Sequence, residues 1–263
     1  MILRFLVIVG RLLLAAATLA FVGWCFVVVI RQIHVTPYGL LHGSDYLKQL
    51  FPHNRADWAY TLRLWPDIVQ PLEETVQMAV VGTVTGMLLA FPMSFLAART
   101  GYLPRFISGL VKTLFNMGRA VPTIIYALLA IPIVGLGVQA GAVAIALVTF
   151  ISLVKLYAEA LESVAVGPIE AVRAAGGNAA QIFVFGMLPQ VFPLYLSTTL
   201  YSMEYNLKDS FIVGIVGAGG LGQMLVTAVN EFKWLDAGVI VALLIVLVNL
   251  IDYVSYRVRL VFS

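Results

Sequence analysis

The stretch GIVGAGGLGQ, Gly214 to Gln223, sets Gly217, Gly219 and Gly222 in the spacing G-x-G-x-x-G. Two folds compete for it. After a strand, that spacing makes a dinucleotide-binding turn, with an acidic residue about twenty positions further on. The apolar run 211–216 and Asp236 imitate both requirements. Such a turn, however, needs a βαβ unit of about thirty residues inside a parallel sheet. A long apolar segment lies upstream of Phe211, another begins soon after Gly222, and the only segment between, NEFKWL, is too polar for a second buried strand. The glycines belong between two greasy segments, and the nucleotide reading is set aside.

Composition supports that choice. Of 263 residues, 61% are hydrophobic and 11% charged. An average soluble domain is about a quarter charged and under half apolar. A soluble fold of this size has nowhere to hide so much apolar surface, so lipid must be the solvent for most of it. The net charge of +3 is small and scattered, which argues against nucleic acid. Cys25 is the only cysteine, so no internal disulfide forms. The three histidines, His34, His42 and His53, match no common zinc spacing, and no metal site is expected.

Hydropathy predicts six spans of about 20 residues or more, at 5–30, 69–97, 106–134, 141–160, 189–216 and 237–258. The first apolar run, about 26 residues, is far longer than the 7–15 of a signal peptide's core, so a retained helix is expected. Arg11 interrupts it close enough to the end to snorkel. The chain then divides into 1–68, a first helix with an outer polar segment, and 69–263, a five-helix core with a loop at about 162–189. With the N-terminus inside, the inner face holds nine basic residues (Arg4, Arg11, Arg99, Arg105, Lys112, Lys155, Arg173, Arg257, Arg259) and the outer face six (Arg31, Lys48, Arg55, Arg63, Lys208, Lys233). The positive-inside rule thus places both termini in the cytoplasm. Pro92, Pro122 and Pro132 invite kinks within spans, and Gly82 and Gly86 form a small-residue face for close packing.

The loop ESVAVGPIEAVRAAGGNAAQIFVFGMLPQ, Glu162 to Gln190, is too long for a turn and too apolar for a linker. Pro168 suits the first turn of a short helix over 169–175, with Glu170 near its positive end. Gly176 and Gly177 end that helix, and Asn178 caps a second one running toward Pro189. Two short helices meeting at a glycine elbow on the cytoplasmic face make a knob offered to a partner.

These residues resemble the coupling-loop motif of ABC importer permeases, E-A-A-x3-G-x9-I-x-L-P. Glu170, Ala171, Gly176, Leu188 and Pro189 match it, while Val172 replaces the second alanine and Gly186 the isoleucine. Together with EYNLKDSFIVGIVGAGGLG, Glu204 to Gly222, and LPQVFPLY, the loop makes residues 72–259 similar to permeases of phosphonate-type importers. The resemblance implies an all-α polytopic fold with six transmembrane helices and a cytoplasmic coupling helix in the bacterial inner membrane. It also implies a homodimer, an ABC ATPase dimer docked on the loops, an extracytoplasmic binding protein, and phosphonate, phosphite or phosphate as cargo. The chain has no G-x-x-x-x-G-K-[ST] motif, so no cofactor is expected in it, and ATP and Mg would be used by the partner. The glycine run Gly217, Gly219, Gly220 and Gly222 reads as a gate or hinge, with plain close packing as the alternative.

Two polar clusters fall inside spans. Arg119 sits well within the third, where an arginine at the midplane costs roughly 2.5–3.5 kcal/mol and so should face the bundle or a cavity. Glu204, Asn206, Lys208, Asp209 and Ser210 sit in the fifth, with Glu204 and Lys208 spaced i, i+4 for an ion pair. One reading has these groups neutralise one another and hold the bundle. The other has Arg119, Asn206, Lys208 and Ser210, with the acid Glu204, line an anion's route as several weak donors. Rival functions are a permease for another small solute such as methionine, an intramembrane enzyme built on Arg119, Glu204 and Lys208, and a passive channel. The absence of His, Cys or paired carboxylates arranged for acid–base work inside the spans argues against the enzyme.

Overall fold

A computed structural model describes residues 2–32, 44–45, 47–99 and 104–262. His34, His42 and much of the polar segment after the first helix, as well as 100–103, lie outside the described residues. The chain separates into two units, Met1–Lys48 and Gln49–Ser263. The first contains α1, Ile2–Gln32, whose side chains over Ala15–Val29 are apolar and mostly exposed.

All regular secondary structure among the described residues of the second unit is helical. Helix α2, Arg55–Ala97, has 43 residues. At 1.5 Å per residue it is about 65 Å long, twice the roughly 30 Å of bilayer hydrocarbon. It starts well before the expected 69, on a capping box. Asn54 Oδ1 accepts from the Asp57 backbone N–H at 2.9 Å, and Asp57 Oδ2 accepts from that of Asn54 at 3.3 Å. It then runs unbroken through Pro66, Pro71 and Pro92.

The third expected span is broken. Helix α3, Arg105–Arg119, and helix α4, Thr123–Val134, meet at an 89° bend. Pro122 is responsible: it has no N–H to continue α3, and its ring disfavours helical backbone at Val121. Arg105, Lys112 and Arg119 recur at seven-residue intervals and so share one face of α3, while Phe106, Leu110, Leu114 and Met117 are exposed. Helix α5, Val138–Glu162, packs most extensively on α2. Gly82 and Gly86 permit it, because a Cβ at either would lie 2.6 Å from Ile145 Cγ2 or Thr149 Cβ. Helix α6, Val166–Ala174, is followed by Ala179–Gln181 and a wide-turned segment, Ile182–Met187. Helices α7, Leu188–Val213, α8, Gly220–Asn230, and α9, Trp234–Phe262, complete the unit.

Four helical stretches are long and apolar enough to cross a membrane, and α3 with α4 makes a fifth only if the bent pair is one span. The expected count of six is not reached among the described residues. Three apolar layers stack through the unit. Leu153, Tyr157, Met187 and Tyr195 fill the layer nearest α6. Met78, Ala127, Ile145 and Val213 fill the middle, and Ile68, Leu221, Ala237 and Ile240 the far end.

Candidate functional site

The break between α3 and α4 opens a cavity of about 620 Å³, lined by Arg119 through Ile124 on one side and by α5 and α7 on the other. Irregular backbone at membrane depth survives only where protein buries it or where it borders a cavity. Arg119, the last residue of α3, is exposed and joins no ion pair formed among the described residues. Pro122 provides no side-chain cap for α4, so the free N–H groups and positive dipole end of that helix border the same space. Ser152, Tyr201, Ser202 and Tyr205, each with a hydroxyl, line the remaining wall, with Asp209 among them.

Of the sequence candidates, Arg119 and Asn206 line this cavity, whereas Glu204, Lys208 and Ser210 do not. Asn206 Nδ2 donates to Thr83 Oγ1 and to Thr149 Oγ1, both at 2.7 Å. Both amide hydrogens are therefore committed to α2 and α5, and Asn206 has none left for an anion. Ser210 is buried and donates to the Leu207 carbonyl of its own helix. Lys208 Nζ lies 2.9 Å from Glu204 Oε1, with the lysine side chain 50% exposed and the glutamate 18%. The pair sits on a stripe of exposed residues, Tyr201, Tyr205, Lys208, Ile212 and Ile215, along one face of α7 and its extension. Asp209, a member of the polar cluster read from sequence, also lines the cavity, whereas Tyr201 and Tyr205 were not singled out: their i, i+4 spacing does not distinguish cavity from lipid.

Asn206 bridging three helices yields an expected result. Asn206→Leu removes two buried hydrogen bonds and leaves the Thr149 hydroxyl without that donor. Intramembrane hydrogen bonds average about 0.6 kcal/mol, up to about 1.7, so a loss of about 1–3 kcal/mol is expected. Thermal unfolding of the detergent-purified protein should shift down by several degrees. An unchanged midpoint would mean that the amide does not hold these helices.

The glycine run departs from helical geometry. Gly217, Gly219 and Gly220 have φ of +100°, +87° and +69°, which side-chain-bearing residues rarely adopt. Gly222 serves proximity: a Cβ there would fall on the Phe211 carbonyl. Helix α8 is then fastened to α2. The Gly220 N–H donates to Glu74 Oε2 at 2.8 Å, the Leu221 N–H to Thr75 Oγ1 at 2.9 Å, and Gln70 steadies Glu74 at 3.0 Å.

At the opposite end the loop forms an elbow. Gly176 has φ +81°, and Asn178 and Gln181 complete a capping box on the far side. Glu170, Ala171, Arg173 and Gly176 are exposed, and so is Pro189, while Leu188 is partly buried. Gln190 ties the elbow's base: its Oε1 accepts from the Ala165 N–H at 3.0 Å, and its Nε2 donates to the Gly186 carbonyl at 2.6 Å. Just before the elbow, Glu162 accepts from Lys112 Nζ at 2.7 and 2.8 Å and from the Arg99 N–H at 2.6 Å. The residues just after α2, the middle of α3 and the end of α5 thus converge where the elbow begins.

Residues 75–259 match the model of the binding-protein-dependent transport system inner membrane component family. The chain belongs to that family. It is 32% identical over 191 residues to the phosphite transport system permease protein PtxC of Stutzerimonas stutzeri, covering 73% of this chain and 70% of that one. It is 35% identical over 193 residues to the phosphate-import permease protein PhnE of Mycolicibacterium smegmatis, covering 73% of this chain but 36% of that one. Its fold matches a chain from inward-facing structures of the MetNI methionine ABC transporter, with a TM-score of 0.66 and 24% identity, covering 80% of this chain and all of that chain. The chain is a multi-pass permease subunit of an ABC importer, and ATP hydrolysis lies in a partner.

Proposed function

We propose that two copies of this permease enclose a route for a phosphorus oxyanion (phosphite, phosphate or a phosphonate) across the bacterial inner membrane. An ATPase docks on each elbow around Glu170–Pro189 and uses ATP with Mg. A binding protein delivers cargo at the opposite face, and both termini lie in the cytoplasm. The observation that carries this reading is the exposed stripe on α7. A half-exposed lysine within a span is costly against lipid, so Tyr201, Tyr205 and Lys208 face water or a second copy, and the cavity with Arg119 opens beside them. Few donors, partly neutralised by Glu204, suit an anion that must leave again. The names of the phosphite and phosphate relatives agree with that chemistry. Closure of the ATPases would push the elbows and rock the spans, with Gly217, Gly219, Gly220 and Gly222 as the flexible joint of the far gate.

The test is purification of the tagged chain from native membranes in mild detergent, followed by counting of its companions and assay of ATP turnover. Two permeases with two ATPases, stimulated by the binding protein with phosphite or phosphate but not methionine, are expected. A chain that purifies alone and intact would overturn the reading. Lys208→Ala should lower uptake about tenfold, the worth of one charge-assisted hydrogen bond near 1.5 kcal/mol, with the complex intact. Loss of the assembled complex in that variant would instead make the Lys208–Glu204 pair a packing element.

A further inference from the structure

Glu204 is paired with Lys208. A carboxylate with no cation paired to it has no obvious use in a route for anions, yet Asp209 lines the cavity together with Arg119. Asp209 is 5% exposed and accepts from the Thr123 hydroxyl through Oδ2. That is its one hydrogen bond among the described residues, and no ion pair among them includes it. An ionised carboxylate has about four acceptor sites, so most of its capacity faces the cavity unspent. Residues with donor groups line the same cavity: Arg119, Ser152, Tyr201, Ser202 and Tyr205.

We propose that Asp209 makes the cavity selective for oxyanions that retain an acidic hydroxyl, and so excludes sulfate. This rests on the reading of the cavity as part of the anion route. Hydrogen phosphate, and the monoanions of phosphite and methylphosphonate present at neutral pH, each carry a P–O–H that donates to Asp209, while their remaining oxygens accept from Arg119 and the hydroxyls. Sulfate has the same shape and no proton at neutral pH. Against Asp209 it sets acceptor against acceptor, and like charges so juxtaposed repel strongly. One unmet buried acceptor corresponds to roughly ten- to a hundredfold in affinity. The cavity, several times the volume of one such anion, holds it with water, which keeps binding weak enough for release. A purely structural Asp209 would only anchor Thr123 at the start of α4. Asn at this position keeps that role, since its carbonyl still accepts from Thr123, but its amide donates to sulfate.

The experiment uses the full complex with its ATPase and a cavity reporter. Cys25→Ser removes the native thiol and Ser202→Cys adds one at the wall, with Ser152→Cys as a second reporter should the first fail to assemble. The rate of modification by a methanethiosulfonate reagent is read against phosphite, phosphate, methylphosphonate or sulfate at constant ionic strength. The phosphorus oxyanions should slow labelling at concentrations at least about tenfold below that of sulfate, and Asp209→Asn should close that gap. Equal protection by sulfate, a gap unchanged in Asp209→Asn, or no protection by any anion overturns the proposal. Binding-protein-dependent phosphite uptake by the Cys25→Ser complex is measured in parallel. Uptake without protection removes this inference alone, whereas absence of uptake for every phosphorus oxyanion removes the importer reading beneath it.

Discussion

A Gly222→Ala chain is expected to fail to accumulate as an assembled complex. The added Cβ would overlap the Phe211 carbonyl oxygen and sit 3.0 and 3.1 Å from the Phe211 carbonyl carbon and Gly214 Cα. All three are backbone atoms, so no side-chain rotation relieves the contact. Extra methylenes among mobile side chains cost about 1–3 kcal/mol. Where backbone must move, the cost is expected at about 3 kcal/mol or more, a large share of the 5–15 kcal/mol of a whole fold. Moving α8 outward would also pull Gly220 and Leu221 from Glu74 and Thr75. Membrane yield and size exclusion in detergent provide the measurement. Gly167→Ala is the control, because a Cβ there meets nothing within 4 Å, and its yield should be unchanged. Normal yield of Gly222→Ala would mean that α8 does not lie against the end of α7.

Gly222 also shows which features were legible from sequence. A G-x-x-G run between apolar segments announced irregular, close-packed backbone, and hydropathy alone marked the four long apolar stretches. The elbow was legible because its signals are local: Pro168 in the first turn, Gly176 after the last, and Asn178 with Gln181 three residues on. Helix α2 beginning at Arg55 was legible in principle, since Asn54 and Asp57 spell a capping box, but hydropathy marks only its apolar part from 69 on, and the helix also carries Pro66 and Pro71. Inside a long packed helix they are tolerated. Pro122 signalled a kink, yet an 89° turn that ends one helix and starts another depends on what α5 and α7 offer beside it.

The site was less legible for the same reason. The i, i+4 spacing of Glu204 and Lys208 predicted their pairing, which is local. The partners of Asn206 are Thr83 and Thr149, and the cap of α8 comes from Glu74 and Thr75, 146 positions away. Side chains of one helix cannot reveal which of them a distant helix will claim. The sequence therefore left Asn206 open between holding the bundle and meeting cargo, and its donors are spent on the bundle.

Gly186→Ile, which installs the residue of the family pattern, is expected to uncouple the permease rather than restore it. Here the glycine lets α6 lie against the segment before α7: a Cβ at 186 would stand 3.2 Å from Ile169 Cα, and 3.5 Å from Ile169 N and the Pro168 carbonyl. A single methyl asks α6 to yield by a few tenths of an ångström, and an isoleucine asks for much more. The element that gives way should be α6, because Gly186 and Met187 are buried while α6 has no buried residue. An overpacking cost of about 1–3 kcal/mol, spent on displacing the elbow, corresponds to roughly a five- to hundredfold fall in productive coupling. The ATPase should still co-purify, while turnover stimulated by the loaded binding protein should fall by that factor. Ile169→Ala in the same chain should not rescue it, since the obstructing atoms belong to the backbone. Rescue would place the conflict in the Ile169 side chain, and unaltered coupling in Gly186→Ile would mean that force reaches the spans by a route other than this elbow.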